Sequence, residues 1–302
     1  MENERPRRKQ HLPHPYNQDL SKILRSLNRR TPFGRRRAAN DPLTAAYLRA
    51  AEWLIQRALG PDGRHDRADA DDPDSLIRPL LGFLSQQAVT KAVRHNPPPF
   101  HQVGKVSTLR DRWKRQVDFI ADVLRFGLWA WHYPTPQKDD MAGVTAEILH
   151  GNDPVRAIHE LCYRDLTNRH LDTPMFRLSL VAAAQADGDP VIREAVSERN
   201  RQNGALWKAF YEQFLTSRGL RIRPGITLDD CVSLFSAAAD GLALRALADP
   251  DCGVIDSEQR RCLLSKVALA MIAGCTEPAD QPAGPPLEHA ISALLTRAAV
   301  QR

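Results

Sequence analysis

Proline placement constrains this chain most. Pro42, Pro154, Pro174 and Pro190 each stand where a run of apolar residues at helical spacing begins. A proline is harmless in the first helical turn, where its missing N–H had no partner, and damaging inside a helix or a central strand. Alternating Val/Ile-rich stretches are scarce and aromatic residues make up only 6%, which argues against a sandwich or barrel. The chain reads as all-α.

Asn40 or Asp41 is expected to cap the helix that starts at Pro42, and Leu43, Tyr47, Ala51, Leu54, Ile55 and Ala58 follow until Gly60 stops the run. An acidic loop occupies 61–74, and a helix capped by Asp74 and Ser75 is expected to reach about Leu84. Ser85 caps another helix through about Arg94, which Asn96-Pro97-Pro98-Pro99 breaks. One helix is then expected from a Ser107 cap to about Trp131. Further patterns cover about 141–149, 154–168, 174–186, 190–218, 228–248, 257–273 and 287–299, with no internal repeat and no convincing strand.

No unbroken run of eighteen apolar residues occurs, so no membrane span is expected. The N-terminus opens basic and polar, unlike a secretory signal. Five widely spaced cysteines without a C-x-x-C argue against a disulfide scaffold or a cysteine zinc site. These features predict a cytoplasmic protein.

Charge is unevenly spread. The whole chain carries a formal +6, yet residues 1–40 hold eleven Lys and Arg against Glu2, Glu4 and Asp19, a local +8 that leaves the rest at −2. Such an arm attracts polyanions in a salt-dependent way, or is a solubilising tail. A second basic stretch, Lys105–Arg115, coincides with a helical pattern. Two short helices followed by a long apolar one are what a helix-turn-helix needs. Leu109, Trp113 and Val106 would face the core, leaving Thr108, Arg110, Asp111, Arg112 and Lys114 outward, either as a solvated face or as readers of base edges and phosphates.

The Tyr47–Leu54 run with Ala50 and Ala51, followed by Gly60, resembles the first helix of the TetR family of transcriptional regulators. Ser85-x-x-x-Val89 resembles that family's second helix, and Thr108-Leu-Arg-Asp-Arg-Trp113 with Phe119 its recognition helix and the start of its fourth. Arg110 stands where the family usually has Tyr. Asp189-Pro190, Gly219–Gly225, Leu228-Asp229-Asp230 and Ala239–Pro250 are similar to the regulatory domain of actinobacterial-type members. The likeness spans roughly 43–275, apart from 61–84.

The charge distribution marks residues 1–40 as a basic flexible arm, and the resemblance implies a helix-turn-helix DNA-binding domain (41–133, with an insertion at 61–84). A helical regulatory and dimerisation domain (134–276) and a Pro-rich linker with a short helix (277–302) follow. Its implied function is a homodimeric repressor of transcription that binds double-stranded DNA and is released by a small-molecule effector. The alternative is a helical dimeric ligand- or protein-binding module that has lost DNA reading. Candidate DNA contacts are Arg35, Arg36, Arg37, Lys91, Lys105, Ser107, Thr108, Arg110, Arg112 and Lys114. Candidate effector contacts are Phe126, Trp129, His159, Cys162, Tyr163, Phe176, Trp207 and Tyr211, which ordinary core packing would equally explain. Phe235, Ala239, Leu242, Ala246, Val267 and Met271 are spaced for a dimer bundle or for an internal core. No phosphate loop, G-x-S-x-G or H-E-x-x-H pattern is present, so no catalytic site, metal or cofactor is expected.

Overall fold

The computed structural model describes residues 17–60, 81–127, 129, 139–171 and 174–300, and these are mostly helical. The expected helix at 74–84 lies almost wholly outside them; only a short 3-10 turn at Gly82–Leu84 is described. The chain divides into two compact units, Met1–His132 with Arg177–Arg199, and Tyr133–Phe176 with Asn200–Arg302. The stretch 177–199, expected in the regulatory domain, thus belongs to the first unit. Arg177 donates to the Leu59 carbonyl (2.9 Å), and Glu198 pairs with Arg25 and Arg125.

The first unit is built on α1 (Pro32–Ala39), α2 (Pro42–Leu59), α3 (Gln86–Ala92), α4 (Val106–Arg112) and α5 (Gln116–Gly127). It also takes most of α8 (Pro174–Gln185) and the start of α9 (Pro190–Ser217). In α2, Pro42 occupies the first turn and the Asp41 carboxylate accepts from the Leu43 amide (2.9 Å). Small buried residues on α2, among them Ala45, Ala46, Ala50 and Ala51, let α1, α3 and α5 approach closely. Tyr47, Leu84, Val89, Leu109, Trp113 and Phe119 complete the core, Trp113 meeting Phe119 edge-on at 5.0 Å.

Residues 17–40 are not a loose arm; residues 1–16 lie outside the described residues. Leu20, Leu24 and Leu27 are buried, and the Asp122 carboxylate accepts from the Arg25 and Ser26 amides (2.9 and 3.0 Å). Thr31 caps α1, its hydroxyl accepting from Gly34 N (3.1 Å), and Pro32 fills the first turn. The long helix expected from Ser107 is not continuous. It is two helices, broken where Trp113 turns into an extended conformation that buries its ring. Its first residue is Val106, preceded by Lys105, so Ser107 does not cap it. Asp118 accepts from the Arg115 amide (3.1 Å) at the restart.

The second unit holds α6 (Asp139–His150), α7 (Pro154–Arg164), the π-turn that extends α7 through Asp165–Leu171, and the rest of α9. It continues with α10 (Leu228–Ala248), α11 (Leu263–Cys275) and α12 (Leu287–Val300). Helix α7 packs on α6 and α11, and α10 packs on α11. Thr227 and Asp230 form a reciprocal capping box at the start of α10. The Arg218 guanidinium donates to the carbonyls of Glu147, Ile148 and Gly151 (2.9, 2.8 and 3.0 Å), placing a cation on the C-terminal end of α6.

The helix expected over 257–273 starts only at Leu263. Before it lies a hairpin of β2 (Ile255–Asp256) and β3 (Arg261–Cys262). Asp256 bonds the Gln259 amide (2.9 Å) across the turn, and Arg260 takes a left-handed φ of 49°. A second ladder pairs β1 (Leu220–Ile222) with β4 (Thr276–Pro278), antiparallel. Gly219 at φ 62° turns α9 into β1. Helix α10 is long and apolar enough to cross a membrane by length and composition alone, although Asp240 and Arg245 interrupt it, so it holds no unbroken apolar run. One side of it, with Val232, Ala239, Ala243 and Ala246, is buried within the unit.

Candidate functional site

In the first unit, α3 packs on α4 after a connection that is long for a helix-turn-helix but tied to α2. The buried Asn96 amide donates to the Ala46 and His101 carbonyls (2.9 and 3.0 Å). The Tyr47 hydroxyl accepts from Lys105 N and donates to Lys105 O (3.2 and 3.0 Å). Burial pushes the Tyr47 phenol up in pKa, keeping it a donor. Only glycine suits position 104, since a Cβ there would lie 2.9 Å from Tyr47 Cε1. These tethers, which sequence reasoning missed, fix the start of α4.

The predicted DNA contacts then divide. Lys91, Lys105, Ser107, Arg110 and Lys114 are exposed and Thr108 is half-buried. The Arg110 Nε donates to Gln86 Oε1 (2.9 Å), which holds that guanidinium beside the first turn of α3. Arg35, Arg36 and Arg37 are exposed on α1, with Arg36 3.1 Å from Asp19. The Asn40 side-chain amide holds the Asp19 carboxyl down to about 2, with Arg36 adding to the effect. Arg112 does not face outward. It is only 9% exposed, donates to Thr44 Oγ1 (3.0 Å) and pairs with Asp41 (2.7 Å). It therefore ties α4 to the start of α2 and does not offer its guanidinium to a base edge, contrary to the expectation.

In the second unit the aromatic residues of α9 meet α10 and α11. Trp207, Phe210, Tyr211 and Phe214 recur at helical spacing and, with Phe235, wall an apolar cavity of about 100 Å³. The Trp207 ring lies 5.9 Å from Tyr211 and 6.4 Å from Phe235, centroid to centroid. Of the predicted effector contacts, Cys162, Trp207 and Tyr211 line this cavity. Phe126 is buried in the first unit, where Trp129 also lies, and Phe176 is buried in the second unit away from the cavity lining. Met271 and Phe235, expected at a dimer face, are cavity wall instead. Ala239 and Ala246 are buried within the second unit, and Leu242 and Val267 are half-buried. What α10 leaves exposed is a different stripe, Leu234, Ala237, Gly241, Leu244 and Ala248, spaced three and four apart.

His159 and Tyr163 face a separate polar groove or its edge. His159 lines the groove with Glu160, Arg164, Arg260 and Arg261. The Ser265 hydroxyl donates to the Cys262 carbonyl (2.6 Å), so it accepts from His159 Nδ1–H (2.8 Å) and sets the imidazole tautomer. Burial lowers the His159 pKa, and the Arg261 and Lys266 charges lower it further. The Arg260 guanidinium pairs with Glu160 (2.7 Å) and lies 5.0 Å from the Tyr163 ring centroid. Comparison of the chain with protein-family models, curated proteins and solved structures gives no match.

Proposed function

We propose that the protein is a DNA-binding regulator of transcription, its first unit contacting the duplex and its second binding a small-molecule effector and a second copy of the chain. The observation that carries this reading is the pairing of α3 with α4 beneath exposed cations, Lys91, Lys105, Arg110 and Lys114. In it, α4 enters the major groove, Arg110 meets a guanine edge or a phosphate, and Arg35 and Arg37 on α1 hold backbone phosphates. Effector binding shifts the balance between DNA-competent and DNA-incompetent states by its differential affinity for them. The exposed stripe on α10 supports a homodimer, because small and leucine side chains at this spacing suit close helix pairing. The test is selection of bound sequences from a random DNA library with full-length protein. A palindromic site whose recovery depends on Arg110 supports the reading; sequence-blind, salt-sensitive binding refutes it.

The internal pairing of Arg112 favours a second reading, a helical dimeric binding module without sequence-specific DNA contacts. That reading predicts no enriched sequence in the same selection.

A further inference from the structure

The cavity between α9, α10 and α11 is selective by what it lacks. Among the described residues, no charged side chain lines it. Its polar groups are few: the Trp207 indole N–H, the Tyr211 phenol, the Thr276 hydroxyl and the thiols of Cys162, Cys231 and Cys275. The Thr276 hydroxyl donates to the Ile272 carbonyl (2.6 Å), and the Cys231 and Cys275 thiols, on α10 and α11, both line the cavity. A buried water needs two to four polar partners, so water gains little in such a space. An ionised group entering it would lose its hydration with nothing to replace it.

The size narrows the occupant further. A cavity of about 150 Å³ lined by aliphatic and aromatic side chains stays dry and takes up benzene. The volume here is about 100 Å³, and one wall is the flexible Met271 side chain, which can repack around a ring. Trp207, Tyr211 and Phe235 present faces and edges at 5.9 to 6.4 Å from one another, suited to a further ring.

We propose that this cavity binds a neutral, single-ring apolar molecule, a monocyclic aromatic hydrocarbon or its phenol, and excludes the corresponding carboxylate. The inference rests on the reading of the second unit as an effector domain, but its test does not. Titration calorimetry of the full-length protein with toluene, phenol and benzoate, without DNA, reads it directly. Toluene and phenol are expected to bind once per chain, with benzoate roughly a hundred-fold weaker from the cost of burying its charge. Ala268→Leu, which fills the cavity, is expected to weaken toluene at least about ten-fold; Cys231→Leu serves if that variant does not fold. Absence of toluene and phenol binding, equal affinity for benzoate, or binding untouched by the filling substitution overturns the proposal. DNA affinity is then measured with and without toluene. Toluene binding that leaves DNA affinity unchanged supports the ligand class and removes the effector role instead.

Discussion

Removing the Asp122 carboxylate tests how the first unit holds its leading segment. Asp122 is fully buried and receives four donors: the Arg25 and Ser26 amides, Trp113 Nε1 (2.9 Å) and Arg125 (3.0 Å). Asp122→Ala leaves all four facing a void. A buried donor without an acceptor costs about 1–3 kcal/mol. Arg125 keeps the Ser26 hydroxyl (2.8 Å) and Glu198 (3.6 Å), so three donors bear most of the loss. Allowing for relaxation, the variant should lose about 4 kcal/mol, a large share of a typical domain's stability. Asp122→Asn keeps one accepting oxygen and turns an NH₂ toward donors, for a loss of about 2 kcal/mol. The assay is hydrogen exchange on the full chain with urea denaturation followed through tryptophan emission. The Arg25 and Ser26 amides should lose protection while peptides of 205–217 keep theirs. A loss under about 1 kcal/mol, or retained protection at those amides, would refute the account of how the segment is anchored.

Arg112→Met should destabilise the first unit by about 2 kcal/mol through loss of the Thr44 and Asp41 bonds, yet leave the sequence preference of any selected DNA site unchanged; altered preference would restore Arg112 as a reader. His159 has a pKa lowered in the folded state from an ordinary 6.5. Its contribution is therefore fully present above pH 6.5 and lost as pH falls through the folded value. Thermal melts of the wild type should drop over that window, and His159→Gln should flatten the profile. Arg218→Ala uncovers three carbonyls at the end of α6 and should cost about 1–3 kcal/mol, measured by urea unfolding. Leu244→Glu on the exposed α10 stripe should abolish the proposed homodimer in sedimentation equilibrium without changing the helical signal; a monomeric wild type, or an unchanged mass in the variant, would refute α10 as a pairing face.

The helical class was legible because it rests on local signals. Pro42, Pro154, Pro174 and Pro190 all begin helices where their positions imply, and Gly60 ends α2. What the sequence hid depends on distant partners. Leu20, Leu24 and Leu27 sit in a strongly basic stretch, and nothing local says that Asp122 receives its amides. Arg112 is indistinguishable in sequence from Arg110, but Thr44 and Asp41, some seventy positions earlier, turn it inward. The break at Trp113 is invisible to periodicity because apolar residues continue on both sides of it. The hairpin at 255–262 did leave a signal, Asp256 ahead of a polar turn, that helix periodicity further on obscured. On α9 the aromatic spacing was readable, whereas Cys231 and Met271 join the cavity only through the packing of α10 and α11.

The division of the chain also dictates an order of assembly. The first unit draws on Met1–His132 and on Arg177–Arg199, while Tyr133–Phe176 belongs to the second. During synthesis, therefore, the Arg25 and Arg125 guanidinium groups wait for Glu198 until that residue has left the ribosome. The second unit waits longer still, for β4 to reach β1. Neither half can be excised as an uninterrupted segment. A truncation ending near residue 132 would keep α1 to α5 yet lose the carboxylate of Glu198, so an incomplete chain is exposed to chaperones and proteases until almost all of it is made.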